Sequence, residues 1–173
     1  ASGSDIGKIR IWEVLPSGEE KILHNGHWEE TAEDSTETRG FFIEDDGGFQ
    51  KPMEFWIGAM TFTPDAKLLI TGSRDNTIRF FEMPTMNELR VVRGHNGWVR
   101  SLVVSPDGKV LISSGDDNTI RFWDIATGRN FRTDKTHTGA VRGIALSPDG
   151  LRLASASWDR TVKLWEGGQE TED

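Results

Sequence analysis

Hydrophobic residues along this chain fall into short runs, broken at near-regular intervals by Pro-Asp and Gly-Asp turns. "WVRSLVVSPDG" carries apolar residues through Val99 to Val104 and stops at a Pro-Asp-Gly turn. "KVLISSG" is a second run, ending at a Gly-Asp-rich turn. "TIRFWD" is a third, with Ile120, Phe122 and Asp124 on one face and Arg121 and Trp123 on the other. That period of two is the mark of a β-strand. "FRTDKTH" around Phe131 reads as a weaker, polar fourth strand, the composition of an outer edge. The pattern occurs three times, over Thr63 to Glu82, Ser105 to Asp124 and Ser147 to Glu166, and the three starts are evenly spaced. Four antiparallel strands at a fixed period near 40, with no helical period, predict the blades of a propeller.

Two of the units share more than this pattern. One carries Gly94-His95, Ser113, Asp117 and Trp123-Asp124; the next carries His137, Ser155, Asp159 and Trp165-Glu166. The interval from His to Asp is identical in both, and so is the interval from Asp to Trp. On these residues, and over most of its length, the chain resembles the WD40 repeat proteins. The resemblance implies an all-β fold: a WD40-type β-propeller segment of four-stranded antiparallel blades in an incomplete ring. It also implies a buried hydrogen-bonded chain in each unit. In that chain Asp accepts from the imidazole, the imidazole pairs with the hydroxyl, and the hydroxyl accepts the indole N–H, so every polar group is satisfied. A His–Ser–Asp grouping also has the composition of a hydrolase triad. Two copies at one spacing, with no oxyanion-hole motif beside either, favour a repeated scaffold. A non-catalytic protein without cofactor or metal is therefore expected.

The unit ending at Glu82 departs from the pattern. It keeps Thr71 and Asp75, but Phe81 stands at the Trp position and Met53 at the His position. The nearest Gly-His pair is Gly26-His27, far upstream of Met53, so the stretch between reads as an insertion. Whether His27 folds back to meet Asp75 stays open. Further upstream, "KIRIWE" (Lys8 to Glu13) matches a third strand and "EEKILH" a fourth. The expected organisation is one partial propeller over 1–173. It has the last two strands of a blade in 1–24, a blade with an acidic insertion (27–52) in 25–90, and a full blade in 94–132. A blade lacking its last strand follows in 136–166, and then a polar tail, 167–173. Propellers close as rings of about four to eight blades. The remaining blades would come from a longer chain, which is the favoured reading, from a second copy, or from another protein.

Composition narrows the picture further. The chain has 173 residues, 35% of them hydrophobic, a globular balance for one domain. Cysteine is absent, which excludes disulfides and thiolate zinc sites and fits a reducing compartment. An intracellular location, cytoplasmic or nuclear, is expected. No apolar run approaches the roughly 18–20 residues of a membrane helix. No signal peptide is visible, and the first residue, Ala1, leaves an upstream segment open. The net charge of −8 disfavours nucleic acid as a partner. Glu29, Glu30, Glu33, Asp34, Glu37, Glu44, Asp45 and Asp46, against Arg39 and Lys51, put −6 of it in the insertion. Glu29 to Thr38 reads as solvated. "GFFIEDDGGFQ" instead sets Phe41, Phe42, Ile43 and Phe49 around Asp46-Gly47-Gly48, a predicted hairpin turn without an EF-hand ligand spacing.

In the resembling family the turns that carry Gly-His and Asp lie on one face, where partners dock. Three positions per blade point onto it: the third and fifth after the His, and the one before the Asp. Here they are Trp98, Arg100 and Asp116; Ala140, Arg142 and Trp158; and Trp56, Gly58 and Arg74. Trp and Arg are the residues most enriched at binding hot spots. The expected contact set is Trp56, Arg74, Trp98, Arg100, Asp116, Arg142 and Trp158, with Phe42 from the insertion. For Trp56 and Trp98 the alternative is packing on neighbouring blades. The arginines suit an acidic or phosphorylated peptide, read by bidentate pairing; the alternative is solvated rim charge. Arg10, Arg79, Arg121 and Lys163 recur at one third-strand position, which favours a structural role. The expected function is a protein–protein interaction scaffold. The alternative is the substrate- or signal-recognition end of a larger regulatory protein, such as a ubiquitin-ligase receptor or a nucleotide-dependent signalling protein.

Overall fold

The computed structural model describes residues 56–166 in full and, ahead of them, the backbone of six short strands. Those six pair locally and antiparallel: Ser2–Gly3 (β1) with Ile9–Arg10 (β2), Ile22–His24 (β3) with His27–Glu29 (β4), and Phe42–Glu44 (β5) with Gln50–Pro52 (β6). β3 and β4 flank Asn25-Gly26, the dipeptide most favoured in two-residue hairpin loops, so Ile22–His24 pairs forward along the chain. The sequence pattern instead sets this run beside Lys8 to Glu13. β5 and β6 flank Asp46-Gly47-Gly48 in the register Phe42↔Pro52 and Glu44↔Gln50, a hairpin arrangement. The side chains of His27, Phe42, Arg10, Trp12 and Trp28 lie outside the described residues.

From residue 57 the repeat organises the chain. Ile57–Phe62 (β7), Leu68–Ser73 (β8), Thr77–Glu82 (β9) and Glu88–Arg93 (β10) form one antiparallel sheet, each strand beside the next. Val99–Val104 (β11), Val110–Gly115 (β12), Ile120–Asp124 (β13) and Asn130–Asp134 (β14) form the second. Val141–Leu146 (β15), Arg152–Ser157 (β16) and Val162–Glu166 (β17) form the third, with three strands. The described residues contain no helix.

Consecutive residues on a strand point to opposite faces, and here both faces are needed. Ile70, Ile78 and Phe80 of the first sheet pack with Val99, Leu102, Leu111 and Trp123 of the second. Ile112 and Ile120, on the second sheet's other face, pack with Val141, Ile144 and Leu153 of the third. Leu69, Phe81 and Met86 form a third cluster on the first sheet's far side. The far face of the third sheet is different. Val162 is 76% exposed, while its repeat equivalents Ile78 and Ile120 are each 1% exposed. Leu164 on the same face is also largely exposed. The blades are thus stacked face on face, and this outer face has no neighbour among the described residues.

Candidate functional site

The site rests on a buried scaffold. In the second blade the His95 imidazole donates from Nδ1 to Asp117 at 2.9 Å and takes a hydrogen bond at Nε2 from the Ser113 hydroxyl at 2.7 Å. Ser113 in turn accepts the Trp123 indole N–H at 2.7 Å. The third blade repeats this with His137, Asp159 (2.6 Å), Ser155 (2.7 Å) and Trp165 (3.1 Å). Each aspartate also closes its own turn. Asp117 accepts from the backbone N–H of Asn96 and Thr119, and Asp159 from those of Thr138 and Thr161.

Burial alone would raise the Asp117 pKa. Hydrogen bonds from His95, Asn96 and Thr119 outweigh it and hold the carboxyl well below the usual range. The Thr161 hydroxyl, then His137 and backbone N–H groups, hold Asp159 low in the same way, against a smaller opposing push from burial. Ser113 is 0% exposed, with one bond given and one received, so its oxygen is closed to any substrate.

The first blade has a different solution. Thr71 is buried, and Phe81 at the indole position has no N–H to give. Asp75 accepts from Thr77, as Asp117 and Asp159 do from Thr119 and Thr161, and from the Arg79 guanidinium at 2.9 Å, and Arg79 reaches on to Glu88 at 2.8 Å. The recurring third-strand cations thus act at the turns. Arg79 and Arg121 each pair with the aspartate four residues back, and Lys163 donates to the Thr136 carbonyl at 2.6 Å.

One backbone hydrogen bond per blade then brings the rim positions together. The N–H of the residue before the turn aspartate donates to the carbonyl of the residue just before the first strand. The pairs are Arg74 to Trp56 (2.8 Å), Asp116 to Trp98 (2.9 Å) and Trp158 to Ala140 (2.9 Å). The third rim position is set by a β-bulge. Between the first and second strands of each blade the register slips by one residue, at Gly58, Arg100 and Arg142. A bulge leaves one residue unpaired and re-aims its side chain. In two blades that residue is an arginine. In the first it is Gly58, where a Cβ would lie 2.6 Å from the Val99 carbonyl oxygen, so no side chain fits.

The outcome is one ladder crossing three blades. The Arg74 guanidinium sits 5.5 Å from the Trp56 ring centre and 4.3 Å from that of Trp98. Arg100 also lies over the Trp98 ring, at 4.1 Å. Arg100 forks onto Asp116 through Nε (2.8 Å) and a terminal nitrogen (2.6 Å). Asp116 also accepts from Arg142 of the next blade at 3.0 Å. Arg142 stacks 3.9 Å over Trp158. Indole and guanidinium thus alternate from Trp56 to Trp158, joined in the middle by one shared carboxylate. Trp56 (46%) and Trp158 (67%) are well exposed, and Trp98 is half-buried against the two arginines. Ala140, the remaining rim position, is buried.

The structure therefore brings together Trp56, Arg74, Trp98, Arg100, Asp116, Arg142 and Trp158. It also shows what sequence reasoning missed: two of the three arginines are already paired. The signal was an Arg and an Asp at rim positions of one blade. The bridge from Arg142 crosses between blades and had no sequence signature. The profile described as "WD domain, G-beta repeat" matches residues 51–82, 86–124 and 128–166, well over half of the chain.

Proposed function

The chain belongs to the WD40 repeat family, whose domains act as protein-interaction scaffolds, and we propose that this one engages protein or peptide partners through the Trp/Arg ladder. The observation that carries the reading is the ladder itself. The backbone positions of its side chains are set by bulge and turn, through hydrogen bonds that do not use those side chains. Exposed indoles bring large contact areas that a partner would dehydrate. A cation–π contact is worth about 0.5–1 kcal/mol at an exposed site and ~2 when desolvated, so each rung strengthens when covered. Stacking also fixes long side chains before binding, which lowers the entropy lost on association.

The partner contributes apolar or aromatic groups against the indoles and an acidic group for the arginines. Substitution tests this. Trp98→Ala removes the contact to two guanidiniums and is expected to weaken binding of a selected peptide partner by about 2 kcal/mol or more, with Trp158→Ala close behind. Calorimetric titration of wild type and both variants, alongside thermal melts to verify folding, measures it. Unchanged affinity in both variants contradicts the proposal.

A further inference from the structure

The three arginines of the ladder are not equivalent, and this sharpens the reading of the partner, on the premise that the ladder is where partners bind. Arg100 and Arg142 share Asp116, whose carboxylate takes three hydrogen bonds from them. The trio carries a net charge of +1, and the fork face of Arg100 is filled. The Arg100 hydrogen bond is the strongest of several influences that keep Asp116 ionised. Arg74 differs on each count. Among the described residues no carboxylate lies within ion-pair reach of it, its side chain is exposed, and indoles lie at 5.5 and 4.3 Å. Stacking engages the flat faces of a guanidinium and leaves its in-plane N–H donors free.

We infer that Arg74 is the residue of this surface that reads an anion, and that the anion is one carboxylate, from an Asp or Glu side chain of the partner. A carboxylate matches one guanidinium in charge and in two-point geometry. A phosphate matches poorly. Its charge near −2 exceeds what the single Arg74 guanidinium supplies, and the Arg100 fork that could share it is already filled by Asp116. The neighbouring indoles dehydrate the pair once a partner covers them, which raises the cost of leaving either charge unmatched.

Panning a displayed library of short random peptides against the full chain supplies the probes. Selected peptides are expected to share one Asp or Glu. They are then resynthesised with Gln, or with phosphoserine, in its place. Replacing the acid with Gln, or Arg74 with Ala, is expected to weaken binding about tenfold or more. The two changes together should cost little beyond either alone, as one shared contact requires. Arg74→Lys keeps the charge but not the fork and should fall between; melts of both variants should match wild type. Two results overturn the inference while sparing the ladder as the docking site. They are peptides sensitive to Trp98→Ala and Trp158→Ala yet indifferent to Arg74, and phosphoserine peptides that bind more tightly than their acidic parents. If no selected peptide responds to either tryptophan, the docking site falls as well.

Discussion

The Ser113 hydroxyl, fully enclosed, donates to His95 and accepts the Trp123 N–H, and His95 can accept only because its other nitrogen donates to Asp117. Removing any member strands a buried partner, which costs about 1–3 kcal/mol, more beside a charge. Asp117→Asn is expected to lower stability by about 2–4 kcal/mol at neutral pH. The pH dependence has a definite sign. The Asp117 pKa is depressed in the folded state, so its contribution is whole above the ordinary aspartate value near 4 and is lost as pH falls toward the lower native value. Denaturant titrations at several pH values should show wild type losing stability on acidification, and Asp117→Asn losing less. Parallel curves would show that Asp117 does not carry this dependence. The members of this chain could be read from the sequence because two units repeat, at one spacing, the residues that carry the WD40 resemblance. The sharing of Asp116 by Arg100 and Arg142 could not, because it depends on how far one blade is turned against the next, which no local pattern encodes.

At the scale of elements, one strand position illustrates how context sets energy. Ile78, Ile120 and Val162 are equivalent in the repeat; the first two are 1% exposed, under the next blade, and the third is 76% exposed. Ile120→Ala is expected to cost about 2–4 kcal/mol, by lost burial and a cavity beside Val141 and Ile144. Val162→Ala should stay within about 0.5 kcal/mol. Chemical denaturation of the two variants decides it, and equal losses would mean that Val162 is covered in solution. The strands themselves were legible: the runs read as Val99 to Val104, "KVLISSG" and "TIRFWD" are β11, β12 and β13 within a residue or so. The bulges at Arg100 and Arg142 were not, since a one-residue slip leaves the hydrophobic alternation on either side intact. Nor was the pairing of Ile22–His24 with His27–Glu29, although Asn25-Gly26 between them carried the signal.

Over the whole molecule, three stacked sheets hold their turns on one rim, and each adds to a surface that none has alone. Trp56 and Arg74 come from the first blade, Trp98, Arg100 and Asp116 from the second, and Arg142 and Trp158 from the third. The resemblance to the WD40 repeats, carried over residue by residue, pointed to those rim positions in the sequence. What lay beyond it was the order of the rungs, which arises only when blades face one another. The central claim, that partners bind along this ladder, is tested most directly by hydroxyl-radical footprinting of the seven tryptophans, free and with a saturating selected peptide. The account predicts that Trp56, Trp98 and Trp158 lose reactivity on binding, while Trp123, buried in both states, does not change. Unchanged rim tryptophans in the saturated complex, or protection confined to the exposed face around Val162 and Leu164, would contradict it.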